Sequence, residues 1–145
     1  MVVLTREAFE GIAHGSKWTW FVEGSEGIFD ALSSVSAERA SMKPAPNSPT
    51  MAAHALHMVY AMRNGNSNIG GPRPEGTWET SWEKEIVTDS EWEQIQADLK
   101  AEYLFFLNFI ETNTDWSNSD MGTGSIGQLA HMAYHLGALR ALIKL

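Results

Sequence analysis

Cysteine is missing from the chain altogether, which removes disulfides, thiolate nucleophiles and cysteine-ligated metal sites from consideration. Any metal held by side chains must rest on nitrogen and oxygen donors. Basic residues are also scarce, with 10 Lys and Arg against 18 Asp and Glu and a net charge of -8. Duplex nucleic acid is bound largely through cations set against phosphates, so no nucleic-acid partner is expected. No run of about eighteen apolar residues occurs, and neither a basic, apolar leader nor a lipidation signal is evident. These absences lead to the expectation of a cytoplasmic protein with no membrane partner. Its 145 residues suit a single domain, 1–145, with a core of its own.

Strand-like alternation is weak, and the dominant apolar period is helical, interrupted by turn-rich segments. From Thr5 to about Val35, Phe9, Ile12, Trp20, Phe21, Ile28 and Leu32 recur at roughly helical spacing. Gly11, Gly15, Gly24 and Gly27 each weaken a helix by about 1 kcal/mol relative to alanine, which leaves one long kinked helix or two shorter ones. One long helix is the favoured expectation. Pro44, Pro46 and Asn47 mark a turn, after which Ser48 can cap a helix that has Pro49 at its first position and runs to about Asn64. Gly65 to Thr88 then has four glycines, two prolines and no sustained period. A connection of this length is either a functional lid or an ordered crossover, and Trp78 and Trp82 suggest that it packs down on the helices. Thr88 and Glu91 form a capping box ahead of an apolar stripe at Trp92, Ile95, Leu99, Phe106 and Ile110. The run TNTDWSNSDMGTG breaks the pattern, and a last helix opens near Ser125 and continues to the end of the chain. The expected fold is all-α, a four-helix bundle with a long crossover between the second and third helices.

Five histidines occur, and four of them form two pairs, His54 with His57 and His131 with His135. Residues three or four apart stand one above the other on a helix, so each pair can offer two imidazoles to one point. Gln128, His131, His135, Ala138 and Leu142 share a stripe expected to face inward. Buried imidazoles lose solvation unless satisfied, and a divalent cation satisfies both rings at once. The spacing alone also describes ordinary core histidines. His54 stands open as a fourth ligand, a base behind the ligands or a polar residue at the rim, with the rim favoured. His14 is expected to be exposed or to cap a helix. Tyr60 and Tyr134 read as packing residues, Tyr134 pointing about a hundred degrees away from His135 on the helix. No GxSxG elbow, Walker motif or dinucleotide fingerprint is present.

The closing HMAYHLGALRAL resembles the H-x-x-Y-H-x-G-x-hydrophobic pattern of the DinB-like (DNA-damage-inducible) family of metal-dependent four-helix bundle enzymes, with His131, Tyr134, His135 and Gly137 in place. PTMAAHALHMVYA is similar to the family's helix in which a Ser or Thr precedes the metal histidine by seven residues, here Thr50 and His57. SEWEQIQADL, after the tryptophan-bearing crossover, looks like its third helix. The resemblance spans nearly the whole chain and departs at Ala138, where the family commonly has Gln. It implies His57, His131 and His135 as ligands of one divalent metal, zinc or nickel first, between the second and fourth helices. Three imidazoles leave at least one position for water or substrate, as catalytic sites do. The implied protein is a homodimeric metal-dependent hydrolase or thiol-dependent transferase acting on a small molecule, with a low-molecular-weight thiol as possible cosubstrate. The alternative is a non-catalytic bundle that binds a metal or small ligand. No catalytic acid or base can be named.

Overall fold

The computed structural model describes residues 1–13, 16, 18–20 and 26–145. Among the described residues there are six α-helices and no strand: α1 (Val2–Glu10), α2 (Ile28–Ser33), α3 (Ala37–Ala40), α4 (Met51–Ser67), α5 (Asp89–Thr112) and α6 (Ser119–Ile143). A single 3-10 turn, Thr80–Trp82, lies in the connection between α4 and α5. The fold class is all-α, as expected. No helix of the described residues is long and apolar enough to cross a membrane.

The single long helix expected from Thr5 to Val35 is not formed: α1 stops at Glu10, and among the described residues the next helix starts at Ile28. Glycine chemistry accounts for the stop. Gly11 has φ 83, a backbone conformation that side chains with a Cβ rarely adopt. Gly27 meets the same turn so closely that a Cβ on it would lie 2.4 Å from the Gly11 nitrogen and 2.5 Å from the Phe9 oxygen. Phe21 and His14, with Gly15 and Gly24, lie outside the described residues.

Side-chain caps explain where the three long helices start. α4 is capped by Thr50 rather than Ser48: the Thr50 hydroxyl accepts from the Ala53 N–H at 3.2 Å and donates to the Glu85 carbonyl at 2.9 Å. The threonine that precedes His57 by one stretch of helix therefore also ties the returning crossover to the start of α4. At α5 the expected capping box is present, with Thr88 Oγ1 accepting from the Glu91 N–H at 3.3 Å and Glu91 Oε2 accepting from the Thr88 N–H at 2.8 Å. α6 opens at Ser119 instead of near Ser125, because Asn118 accepts from the N–H groups of Asp120 and Met121. A run that reads as a loop thus serves as an N-cap.

α4 packs against both α5 and α6, while α1 and α2 pack on the same two helices. Phe9, Met58, Met62, Leu99, Tyr103 and Met132 are fully buried between them. Arg63 joins α4 to α5 through Asp98 at 2.9 Å and Glu102 at 2.8 Å. On α6 the buried line is Ser125, Leu129, Met132, Leu136 and Leu139, with His135. The stripe expected to face inward runs along its edge: Gln128, His131, Ala138 and Leu142 are half-buried, and the Gln128 amide donates across to the Ala61 carbonyl of α4 at 3.3 Å. That edge, where α6 meets α4, is where the histidines gather.

Candidate metal centre

α4 supplies His54 and His57, and α6 supplies His131 and His135. His57 and His135 are fully buried, whereas His131 is half-buried. One ring nitrogen from each of His57, His131 and His135 lies within 4.8 Å of the others, a ligand set for a metal ion. These are the three residues singled out in the sequence. Nε2 of His131 and Nε2 of His135 are 3.0 Å apart. Two nitrogens bound to one ion at about 2.0–2.1 Å stand roughly 3.0–3.4 Å apart, depending on coordination geometry.

His54 is not at the rim. It is 6% exposed, and its Nδ1 lies 3.1 Å from Nδ1 of His135. The first turn of α4 is enclosed, with Met51, Ala52, Ala53 and Ala55 all buried, so a side chain here has no rim to occupy. The alanines leave room for the imidazole to reach α6.

The crossover completes the centre. The Ser81 hydroxyl is 2.7 Å from His57 Nδ1 and 2.7 Å from the Trp78 carbonyl. A hydroxyl has one proton and a carbonyl can only accept, so Ser81 donates to Trp78 and accepts the Nδ1–H of His57. Neutral His57 then keeps its lone pair on Nε2. That nitrogen is buried and has no hydrogen-bond partner among the described residues. A buried acceptor left without a donor is costly, and a cation supplies the missing partner. The donor set and the orphaned nitrogen both fit a divalent ion.

Two tryptophans from the same connection cover the rings. Trp82 stacks on His57 at 4.0 Å and 19°, and Trp78 meets His57 edge-on at 4.3 Å while lying over His131 at 5.3 Å and 23°. The α4-to-α5 connection is therefore part of the cluster and not only a link between helices. The tryptophans are legible in the sequence as residues that pack on the helices, but nothing there marks Ser81, a serine in a segment without a period.

Burial sets the protonation states. It is the largest cause pushing His57 down to about 4 and His135 down to about 3, with further repulsion from His131 and His54 on both rings, and from His57 on His135. Burial also lowers His54 and His131. The rings are thus neutral at physiological pH, the form in which imidazole ligates metal. No carboxylate joins the ligand set among the described residues. Tyr134 is 66% exposed, in keeping with a residue off the ligand face, and Tyr60 sits half-buried beside Trp78.

Compared with family models, curated proteins and solved structures, the chain gives no match.

Proposed function

We propose that the chain is a metal-dependent enzyme of the DinB-like kind, in which His57, His131 and His135 hold one divalent ion, zinc or nickel first. Its frame is a four-helix bundle made by α4, α5, α6 and the α1–α2 segment, with the α4-to-α5 connection as the long crossover. The observation that carries this reading is the buried Nε2 of His57, left without a partner in a cluster whose ligand nitrogens lie within 4.8 Å of one another.

Three neutral imidazoles leave at least one coordination position open, which suits catalysis better than a purely structural site. When bound, a divalent ion supplies Lewis acidity to a water, a thiol or a carbonyl. The residues of the chain do the rest of the work at the site. His57 and His135 hold their lone pairs inward from buried positions, Ser81 fixes the tautomer of His57, and Trp78 and Trp82 keep bulk water off the rings. His131, the half-buried member, marks the side open to a substrate. With no cysteine of its own, the protein requires any thiol nucleophile to arrive as a cosubstrate. A cleft of about 560 Å³, of the size of small-molecule sites, is lined by Arg63, Arg73, Glu75, Lys84 and Glu102 with Ser81; it meets the cluster only through Ser81, and none of the histidines lines it. These features support a hydrolase or a thiol-dependent transferase acting on a small molecule.

The test is metal analysis of untagged protein, followed by turnover of ester, amide and thiol-conjugation substrates, with His135→Ala as the blank. Stoichiometric metal and turnover lost in the variant support the enzyme. Stoichiometric metal without turnover on any panel favours the non-catalytic binding bundle, and absence of metal overturns both.

A homodimer is part of the same proposal. The outer face of α6 carries Ile126, Gly127, Ala130, Tyr134, Gly137 and Ala141, all exposed and none charged. A Cβ on Gly127 or Gly137 would meet nothing within 4 Å. Glycine inside a helix costs about 1 kcal/mol relative to alanine, and packing within the chain does not call for it here. Close approach of the same helix from a second copy does.

A further inference from the structure

Resting on the metal reading above, we infer that His54 is a positioning residue of the centre: it accepts the Nδ1–H of His135 and thereby presents Nε2 of His135 as the ligand atom. The two Nδ1 atoms are 3.1 Å apart, with ring centres 5.3 Å apart and planes at 73°. At that distance one nitrogen donates and the other accepts, because two lone pairs or two N–H groups facing each other repel. The other nitrogen of His135, Nε2, lies 3.0 Å from Nε2 of His131, so this is the edge that looks into the ligand cluster. A neutral imidazole that ligates through Nε2 carries its proton on Nδ1. The shared proton therefore belongs to His135, and His54 accepts with Nδ1 while keeping its own proton on Nε2.

His54 is held for this task. It is buried, sits one turn before His57 on α4, and meets Trp82 edge-on at 5.2 Å and 81°. Its Nδ1 is engaged on the edge of His135 away from His131, which separates it from the ligand set of His57, His131 and His135. The arrangement repeats at His57, where Ser81 accepts the Nδ1–H. Two ligands thus have an acceptor behind them, buried His54 in one case and half-buried Ser81 in the other, and neither acceptor is a carboxylate. An imidazole or hydroxyl in this role orients the ligand without adding negative charge, so the centre keeps the full charge of its ion for an anionic group of the substrate.

Two readouts test this. In 15N-labelled, zinc-loaded wild type, long-range 1H–15N correlation shows which nitrogen of each ring is protonated. The expected result is Nδ1 for His135 and Nε2 for His54. Zinc dissociation constants are then measured for His54→Asn, whose Oδ1 falls near the place of Nδ1 and still accepts, and for His54→Leu, which fills the space without an acceptor. The leucine variant should bind zinc about 10–100-fold more weakly, less of a loss than His135→Ala shows, and the asparagine variant should stay close to wild type. A proton on Nδ1 of His54, unchanged affinity in the leucine variant, or a loss in both variants as great as that of His135→Ala overturns the inference while leaving the metal reading intact. Failure of the wild type itself to bind zinc overturns both. Should His54→Leu not fold, the wild-type tautomers and the asparagine variant decide the matter.

Discussion

A buried imidazole surrounded by others is comfortable only while it is neutral, and this gives the histidines a pH signature. His57 and His135 are depressed to about 4 and about 3 from the ordinary 6.5, chiefly by burial. As pH falls through 6.5 the unfolded chain takes up protons that the folded chain refuses, so the stability of the metal-free protein must fall from there towards pH 4. Each such proton contributes a slope of up to about 1.4 kcal/mol per pH unit. Urea midpoints of metal-free protein should therefore decline between pH 6.5 and 4, and a flat profile across that window would contradict the burial described. The folded centre, in turn, should release zinc at lower pH than an exposed histidine site, which begins release near its unperturbed pKa of about 6.5, because burial lowers all three ligands. His57→Ala, His131→Ala and His135→Ala should each abolish metal retention in dialysed protein; retention by His57→Ala would break the proposed ligand set. Of these residues, the H-x-x-x-H of α6 was legible as spacing, and His57 was reached through the resemblance of its helix. His54 was misplaced because its partner, His135, lies 81 positions away, a relation that no local pattern encodes.

At the scale of elements, local chemistry was legible where it was self-contained. The capping box of α5 involves only Thr88 and Glu91, and the start of that helix was read correctly. Thr88→Ala should lower unfolding free energy by about 0.5–2 kcal/mol, measured by urea denaturation, without altering metal content. The expected long first helix failed because its end depends on Gly27 closing onto Gly11, a contact between segments rather than a property of either. The start of α6 was hidden because Asn118 suits a loop and a cap equally. The crossover has no period at all, yet it carries the acceptor for His57 and both covering tryptophans. Ser81→Ala removes that acceptor and should weaken zinc binding about 10–100-fold by titration. If the affinity is unchanged, the crossover covers the centre without helping to form it.

For the molecule as a whole, helical periodicity was enough to establish an all-α chain, but it says little about what the outer surface meets. The uncharged face of α6 predicts association: sedimentation should show twice the 16.1 kDa chain mass, and Ala130→Glu, placed on that face, should return the monomer. A wild-type monomer at micromolar concentration would remove the dimer and leave the metal centre untouched. That centre joins the two helices α4 and α6, so an ion bound there stabilises the folded chain through every ligand it holds together. At free zinc a hundredfold above its dissociation constant the gain is about 2.7 kcal/mol, roughly 5–10 °C for a domain of this size. The most direct measurement is the melting temperature of metal-free protein at neutral pH with and without added zinc or nickel, for the wild type and His135→Ala side by side. The wild type should rise by that margin and the variant should not; an equal rise in both, or none in the wild type, would contradict a metal held by His57, His131 and His135.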